Sequence, residues 1–260
     1  MAELITRKEN AVGWVIFSNP TKFNAVSHDM WAALPKAIAA FDADPEVRLI
    51  VITGDGEKAF ISGADISQFE KARGSADAQA IYNQAVVDAY EAPVLCSKPV
   101  VAKIRGICMG GGLGLAAACD VRIAAADAVF RMPAGRLGLG YNYTGIKRFV
   151  QVLGMANTAD VFFSARKFDA ADALGMGFVN RVVPVADFDR EFAAYAEMMA
   201  ENAPLTLAAA KFAIRQTGLD PAARDLDQVA RMIEICFSSD DYREGRRAFM
   251  EKRKPNFQGK

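Results

Sequence analysis

Residues 110–120 read Gly-Gly-Gly-Leu-Gly-Leu-Ala-Ala-Ala-Cys-Asp, and they decide how the rest of the chain is interpreted. They follow an apolar, strand-like run at 99–104, and their Ala/Leu content predicts a helix that begins at the glycines. A glycine turn at a helix start leaves backbone N–H groups unpaired and lets a ligand approach closely. The helix dipole adds positive potential there. The stretch is therefore predicted to hold a phosphate or a developing oxyanion. Residues 110–119 contain no carboxylate that could act as acid or base.

The composition excludes several classes of protein. The 260 residues are 52% hydrophobic, which is enough for a sizeable core, and 31 basic residues balance 31 acidic ones. This balance argues against a nucleic-acid partner. No apolar run approaches about 18 residues and no apolar N-terminal signal is present, so we expect no membrane partner and a cytoplasmic location.

Few residues are suited to metal or redox chemistry. His28 is the only histidine and is expected at the surface, which disfavours a histidine triad and a multi-histidine metal site. The four cysteines form no C-x-x-C pair and are expected to be reduced thiols in the core. No G-x-G-x-x-G motif opens a helix, so no nicotinamide or flavin, and no metal, is expected.

Strand and helix patterns alternate in the first half of the chain, and helical patterns dominate the second. This order indicates an α/β core with a helical C-terminal region, divided here into 1–200 and 201–260. Strands are predicted at 14–17, 47–53, 99–104 and 121–125, and helices at 27–41, 77–91, from the glycines to Asp120, after Gly145, and at 155–164, 169–175, 186–201, 205–217 and within 221–250.

A set of short motifs, in order along nearly the whole chain, resembles the crotonase (enoyl-CoA hydratase/isomerase) superfamily. Each motif is weak alone, but their order and spacing together are specific. They are 24–27, 47–54, 59–66, 98–100, 110–112, 118–124, 137–138, 175–180 and 241–257.

The resemblance implies a ββα spiral core and a C-terminal helical region that forms homotrimers or homohexamers. It also implies an acyl-CoA thioester as substrate, with coenzyme A present only as part of that substrate. Two backbone N–H groups, assigned by motif position to Ala64 and Gly111, would stabilise a thioester enolate. Both lie at glycine-flanked turns, and one such donor contributes roughly 3 kcal/mol in a transition state.

The same resemblance places coenzyme A contacts along three segments. The strip from Lys22 to Val26, which includes Ala25, and the backbone of Ser62 would hold the adenine and phosphates. Asp65 and Ile66 complete the motif, although the local position of Asp65 favours stabilisation of a turn. Lys254 would reach a phosphate, and a solvated surface charge is its alternative.

Two positions depart from the family pattern. Hydratases of this family resemble one another in carrying a glutamate after the triple glycine and another after a Phe-x-x-Pro sequence. Here these positions are Gly114 and Ala134. Hydration needs one group that activates water and one that protonates the α-carbon, and neither residue can do this.

The loop at 139–146 offers polar groups in their place. Its Tyr-Asn-x-x-Gly-Ile pattern resembles methylmalonyl-CoA decarboxylase, and Tyr141 and Asn142 are predicted to lie nearest the acyl group. Arg131 and Arg136 are candidates for binding a substrate carboxylate, with surface or interface charges as the alternative.

Three functions therefore stay open. The first is an acyl-CoA enzyme of the enoyl-CoA hydratase/isomerase family with an oxyanion hole. The second is a decarboxylase of malonyl-type thioesters, which needs no base. The third is a catalytically silent protein that binds acyl-CoA.

Overall fold

The computed structural model describes residues 2–65 and 76–260. Within them the chain forms ten strands and nine α-helices. The strands are β1 (Glu3–Glu9), β2 (Val12–Ser18), β3 (Leu49–Gly54), β4 (Ala59–Ile61), β5 (Val100–Ile104), β6 (Ile107–Met109), β7 (Val121–Ala125), β8 (Val129–Arg131), β9 (Lys167–Asp169) and β10 (Arg181–Val183). The helices are α1 (His28–Ala43), α2 (Ala76–Leu95), α3 (Gly111–Ala118), α4 (Tyr143–Ser164), α5 (Ala170–Gly175), α6 (Phe188–Ala200), α7 (Pro204–Thr217), α8 (Leu226–Ser238) and α9 (Asp240–Glu251).

The strands form two sheets. The larger has six strands in the order β1-β2-β3-β5-β7-β10, and the smaller has four in the order β4-β6-β8-β9. Only the β1–β2 and β8–β9 pairs are antiparallel. Successive strands from β3 to β8 alternate between the sheets, and a helix follows β4, β6 and β8 in turn. This repeat is the predicted ββα spiral, which the structure confirms.

The large sheet is buried on both faces, as its nearly continuous apolar strands require. On one face, Ile50 and Ile52 of β3 join the core that contains α1, α2 and α3. On the other, Leu49 and Val51 pack against Phe188 and the rest of α6. The alternation of side chains along β3 therefore separates two hydrophobic cores.

Helix α3 begins where the sequence predicts. Gly110 adopts φ 53° and ψ −115°, a conformation that residues with a Cβ avoid, and α3 follows at once. Nearly all of α3 is buried, including Gly112, Leu113 and Gly114. A helix buried on all sides cannot show the amphipathic spacing of a surface helix, and its Ala/Leu content was the signal that identified it.

Several elements differ from the sequence prediction. The helical stretch predicted after Gly145 and the helix predicted at 155–164 belong to one element, α4, which begins at Tyr143 and is kinked at Gly154, where φ is 73°. The segment 221–250 contains two helices, because Ser239 ends α8 and caps α9 with its hydroxyl. Strands β1, β4, β6, β8, β9 and β10 were not predicted, and all of these except β1 have only three residues.

The predicted boundary near residue 200 stays a prediction. Lys211 of α7 reaches across it, with Nζ 2.7 Å from the Pro93 carbonyl oxygen and 2.7 Å from Asp120 Oδ2. Among the described helices, none is both long and apolar enough to cross a membrane.

Candidate active site

Two glycine turns face each other at the start of α3. Gly63, with φ 126°, follows β4, and Gly110 follows β6 in the neighbouring strand of the small sheet. A Cβ built on Gly110 would lie 3.8 Å from the Cα of Gly63. The parallel pairing of β4 with β6 therefore brings the two turns to the same edge of the sheet, as the family motifs predict.

The amides of Ala64 and Gly111 have no protein acceptor within the described part of the chain. On either side of Ala64, backbone groups are hydrogen-bonded: Val26 N donates to Gly63 O at 2.8 Å, and Asp65 N donates to Val26 O at 2.9 Å. Gly111 is the first residue of α3, where N–H groups lack an intrahelical partner. The turns thus hold two unpaired donors in fixed positions, which is the arrangement that an oxyanion hole requires.

Gly114 lies one turn further along α3, and two tyrosine hydroxyls fill the space beside it. A Cβ at Gly114 would lie 2.7 Å from the hydroxyl oxygen of Tyr90 and 2.8 Å from that of Tyr141. Both distances are shorter than a normal contact. The position at which the family pattern has a glutamate therefore has no room even for an alanine.

Sequence reasoning missed Tyr90, which lies on α2. Its hydroxyl donates to the Gly111 carbonyl oxygen at 3.0 Å, and its ring packs edge-on against Trp31 at 5.7 Å between centroids. The spacing of Tyr82, Val86 and Tyr90 on one face of α2 indicated burial. No feature of the sequence indicated that this face meets the glycine turn.

Tyr141 lies beside the site, as predicted. Its ring contacts Phe149 and Phe162 edge-on, at 6.1 and 5.1 Å between centroids. Its hydroxyl is buried and has no hydrogen-bond partner within the described residues. Burial raises the pKa of Tyr141 to about 12, against smaller opposing effects of Tyr90 and Arg148. Burial also raises the pKa of Tyr90 well above its usual value. Both side chains are therefore neutral donors at physiological pH.

A small cavity of about 20 Å³ adjoins the two tyrosines, which is room for about one water molecule. Arg148 of α4 lies in its wall and is held by Tyr90 O at 2.9 Å and by Glu91 Oε1 at 3.0 Å. The wall therefore contains the ion pair of Arg148 with Glu91, in which the two charges bind each other. Asn142 also lines the cavity, but its Oδ1 caps α4 by accepting from Gly145 N at 2.7 Å.

Ala134 has a different environment from Gly114. It is 6% exposed and belongs to the main hydrophobic core. Of the two nearby arginines, Arg131 donates from Nε to the Ala165 carbonyl oxygen at 2.8 Å, and Arg136 is exposed. The binding of a substrate carboxylate by either arginine stays a prediction.

The predicted coenzyme A strip is a turn that the fold itself holds together. Lys22 Nζ pairs with Asp65 Oδ2 at 2.8 Å, and the side chain of Asp65 is 6% exposed. The Ser62 amide donates to Phe23 O, and the Ser62 hydroxyl donates to Lys22 O. Ala25 N donates to Lys22 O at 3.0 Å. These contacts support the turn-stabilising interpretation of Asp65.

Two other predicted contacts lie apart from this turn. Lys254 pairs with Glu201 at 2.8 Å, and its side chain is 83% exposed. Ile66 lies outside the described residues. All of the coenzyme A contacts stay predictions.

Comparisons with known proteins agree with this fold and site. The model of the family described as enoyl-CoA hydratase/isomerase matches residues 7–260. The chain is 31% identical to a crotonyl-CoA hydratase of Syntrophomonas wolfei, with 98% of this chain and 97% of the relative covered. It is 30% identical to a peroxisomal Delta(3,5)-Delta(2,4)-dienoyl-CoA isomerase of Arabidopsis thaliana, with 96% and 93% covered.

A solved structure is similar over its whole length. The enoyl-CoA hydratase/carnithine racemase of Magnetospirillum magneticum superposes with a TM-score of 0.93 at 33% identity, with 100% of this chain and 97% of that one covered. The chain therefore belongs to the enoyl-CoA hydratase/isomerase family of the crotonase superfamily. It is an enzyme of the hydratase/isomerase type.

Proposed function

We propose that the protein binds an acyl-CoA thioester with its carbonyl oxygen on the amides of Ala64 and Gly111, and that these amides stabilise the thioester enolate. The observation that carries the proposal is the pair of unpaired N–H groups at two facing glycine turns. Fixed donors aimed at a developing negative charge need no reorganisation during the reaction, and each lowers the barrier by roughly 3 kcal/mol.

The reaction that we assign first is that of a hydratase-like lyase acting on an enoyl-CoA. Addition of a nucleophile to the β-carbon produces the enolate that the amides stabilise. Relatives named as crotonyl-CoA hydratase and short-chain-enoyl-CoA hydratase support this assignment. In this chain, the water would be activated without carboxylates at positions 114 and 134.

Decarboxylation of a malonyl-type thioester is the second candidate. Loss of CO₂ leaves the same enolate without any base, and the buried, neutral hydroxyl of Tyr141 beside the start of α3 favours it. Tyr141 then orients the departing carboxylate by donating to it. A protein that binds acyl-CoA without turnover is the outcome that would contradict both reactions.

The enolate-binding site can be tested with acetoacetyl-CoA, whose enolate absorbs in the near ultraviolet. We expect the wild-type protein to bind it with an enolate band. Gly110→Ala should lose the band by about tenfold or more, because alanine at that φ and ψ displaces the turn that presents the Gly111 amide.

The matched control is Gly138→Ala. Gly138 also has a positive φ, 63°, but a Cβ there meets nothing within 4 Å. This variant carries backbone strain without reaching the site and should keep the band. Loss of the band in both variants, or its absence from the wild type, contradicts the oxyanion hole. A mass-spectrometric screen with crotonyl-CoA and methylmalonyl-CoA then separates gain of water from loss of CO₂.

We further propose that the C-terminal helices assemble the chain into a trimer or a dimer of trimers. Phe237 of α8 and Phe249 and Met250 of α9 are 61%, 82% and 81% exposed, and they border an apolar groove. A surface of this kind is typical of an interface between protein chains. Light scattering coupled to size-exclusion chromatography tests the stoichiometry, and a monomer would contradict it. The cytoplasmic location stays a prediction.

A further inference from the structure

Two tyrosine hydroxyls converge on the face of α3 that carries the Gly111 amide. They come from different elements: Tyr90 from α2, and Tyr141 from the loop before α4. Each lies within 3 Å of the point that a Cβ on Gly114 would occupy. Gly114 is three residues after Gly111, so the two residues lie on the same side of the helix. The hydroxyls therefore border the candidate oxyanion hole.

The two hydroxyls are used differently. Tyr90 donates its proton to the Gly111 carbonyl oxygen, which fixes the peptide at the first turn of α3 and leaves the Tyr90 oxygen as an acceptor. The Tyr141 hydroxyl has no partner within the described residues, although it is buried. A buried hydroxyl without a partner is unfavourable in the free protein, and such groups in native structures call for an explanation.

We propose that Tyr90 and Tyr141 act as a pair in which Tyr141 protonates the α-carbon of the thioester enolate and Tyr90 positions Tyr141 and the Gly111 peptide. This inference rests on the proposed function, because it needs an enolate at the Ala64 and Gly111 amides. In the step, the O–H bond of Tyr141 breaks and a C–H bond forms at the α-carbon. The resulting phenolate is then reprotonated from solvent.

The charges around the pair favour an acid over a base. Tyr90 and Glu91 of α2 and Arg148 of α4 line the same small cavity as Tyr141. Glu91 is bound to Arg148, so no free carboxylate among the described residues lines this wall. Burial raises the pKa of Tyr141 to about 12, so at neutral pH its side chain is protonated and ready to donate. In this state it can give a proton to an enolate, whereas removal of an α-proton would first require its own ionisation.

This asymmetry defines the class of reaction. The enolate must arise from another bonding change, such as addition to a double bond or loss of a carboxylate, and not from removal of an α-proton. Double-bond isomerisation, which begins with that removal, is disfavoured. The substrate is accordingly an α,β-unsaturated or a β-carboxylated thioester.

Hydrogen exchange at the α-carbon of butyryl-CoA in D₂O tests the pair. In this reaction the α-proton is first removed, which reverses the proposed step, and the enolate then takes a deuteron at the same carbon. In the proposed pair, the phenolate of Tyr141 is the group that removes the α-proton. We therefore expect wild-type exchange to rise about tenfold for each pH unit between about pH 7 and 10. A carboxylate base would already be ionised over that range and would give a flat profile.

Tyr141→Phe should reduce exchange by about 100-fold. Tyr143→Phe is the matched control, since Tyr143 lies in the same segment and is 78% exposed; it should exchange like the wild type. Tyr90→Phe should lower exchange and weaken the acetoacetyl-CoA enolate band in parallel, because it removes the hydrogen bond that fixes the Gly111 peptide. Tyr141→Phe should lower exchange and keep the band, and a Tyr90→Phe variant that keeps both would overturn the positioning role.

The outcomes separate the two proposals. A wild type that forms the acetoacetyl-CoA enolate band but shows flat exchange, or exchange equal in Tyr141→Phe and Tyr143→Phe, overturns the tyrosine pair alone. A wild type with neither band nor exchange overturns the proposed function and the pair with it. If Tyr90→Phe does not fold, the Tyr141→Phe result decides.

Discussion

The two ends of α3 are built in opposite ways. At the C-terminal end, the buried guanidinium of Arg122 donates to the carbonyl oxygens of Ala116 and Cys119 at 3.2 and 2.6 Å. At the N-terminal end, the amide of Gly111 has no protein acceptor in the described part of the chain. Both ends of any helix have groups without intrahelical partners. This fold satisfies the carbonyl end with a charge and leaves the amide end open, which is where a ligand is expected.

Asp120, directly after the closed end, completes the difference. Its Oδ2 accepts from Val100 N and pairs with Lys211 Nζ, both at 2.7 Å. These two contacts give Asp120 a structural part in joining β5 to α7. Charge is concentrated at the end without chemistry, whereas the end with the candidate site has neutral tyrosines. We therefore expect mutations at the closed end to affect stability, and mutations at the open end to affect activity.

The largest expected loss of stability follows from Arg122→Met. Arg122 is 6% exposed, and its Nε also donates to the Phe178 carbonyl oxygen at 2.5 Å. Its removal leaves the buried Cys119 and Phe178 carbonyl groups without this donor, so we expect the free energy of unfolding to fall by about 3–5 kcal/mol. Denaturant unfolding measures it. Arg136→Met is the exposed control. A loss below about 1 kcal/mol in Arg122→Met would contradict the conclusion that Arg122 stabilises the C-terminal end of α3.

Lys211→Met should have the next largest effect. Lys211 is 9% exposed, and its Nζ contacts Pro93 O, Lys98 O and Asp120 Oδ2. Since Asp120 is one-third exposed and regains some solvation, we expect a loss of about 2–3 kcal/mol. The exposed pair of Lys254 with Glu201 is the comparison: Lys254→Met should cost below about 1 kcal/mol. Equal losses in the two variants would show that burial of the pair does not matter.

Gly114→Ala tests the crowding at the open end. Its methyl group would meet two rigid tyrosine side chains below 3 Å, so we expect a loss of about 1–3 kcal/mol. In a background of Tyr90→Phe and Tyr141→Phe the loss should be smaller, because both hydroxyl oxygens are gone. Gly140→Ala, where a Cβ meets nothing within 4 Å, should leave stability unchanged. A double-mutant cycle without coupling would refute the contact.

The smallest effect on stability is expected from Tyr141→Phe. The hydroxyl that it removes has no partner, so the free energy of unfolding should change by less than about 0.5 kcal/mol, or rise. Tyr90→Phe removes a hydrogen bond to Gly111 O and should cost about 1 kcal/mol. The reverse order would mean that the Tyr141 hydroxyl has a partner in solution. Thermal unfolding of the two variants in parallel gives the comparison.

The parts of the fold that the sequence predicted are those with long apolar signals. Strands β2, β3, β5 and β7 were found because each is a buried run of five to seven residues. In the small sheet, β6, β8 and β9 have three residues each, which is too short for a period to appear. The start of helix α4 was predicted after Gly145, and its first residues extend into the glycine- and tyrosine-rich stretch that resembles a loop.

The candidate site divides in the same way. Ala64 and Gly111 were located by motif, because glycines with unusual φ values leave a trace in the sequence. Tyr90 left none, since it lies 21 residues before Gly111 and meets it only through the packing of α2 on α3. The crowding at Gly114 is likewise a property of three segments together, and no single segment encodes it.

The occupied space beside Gly114 restricts how this enzyme can change during evolution. Some glycine codons become glutamate codons by one nucleotide change, so a single mutation in the gene can restore the carboxylate of the family pattern. In the folded protein, that side chain would have to displace the hydroxyls of Tyr90 and Tyr141. The gain of a carboxylate here must therefore follow or accompany the loss of at least one tyrosine. A variant that has lost the tyrosine and not yet gained the carboxylate lacks both groups, and selection would not favour it.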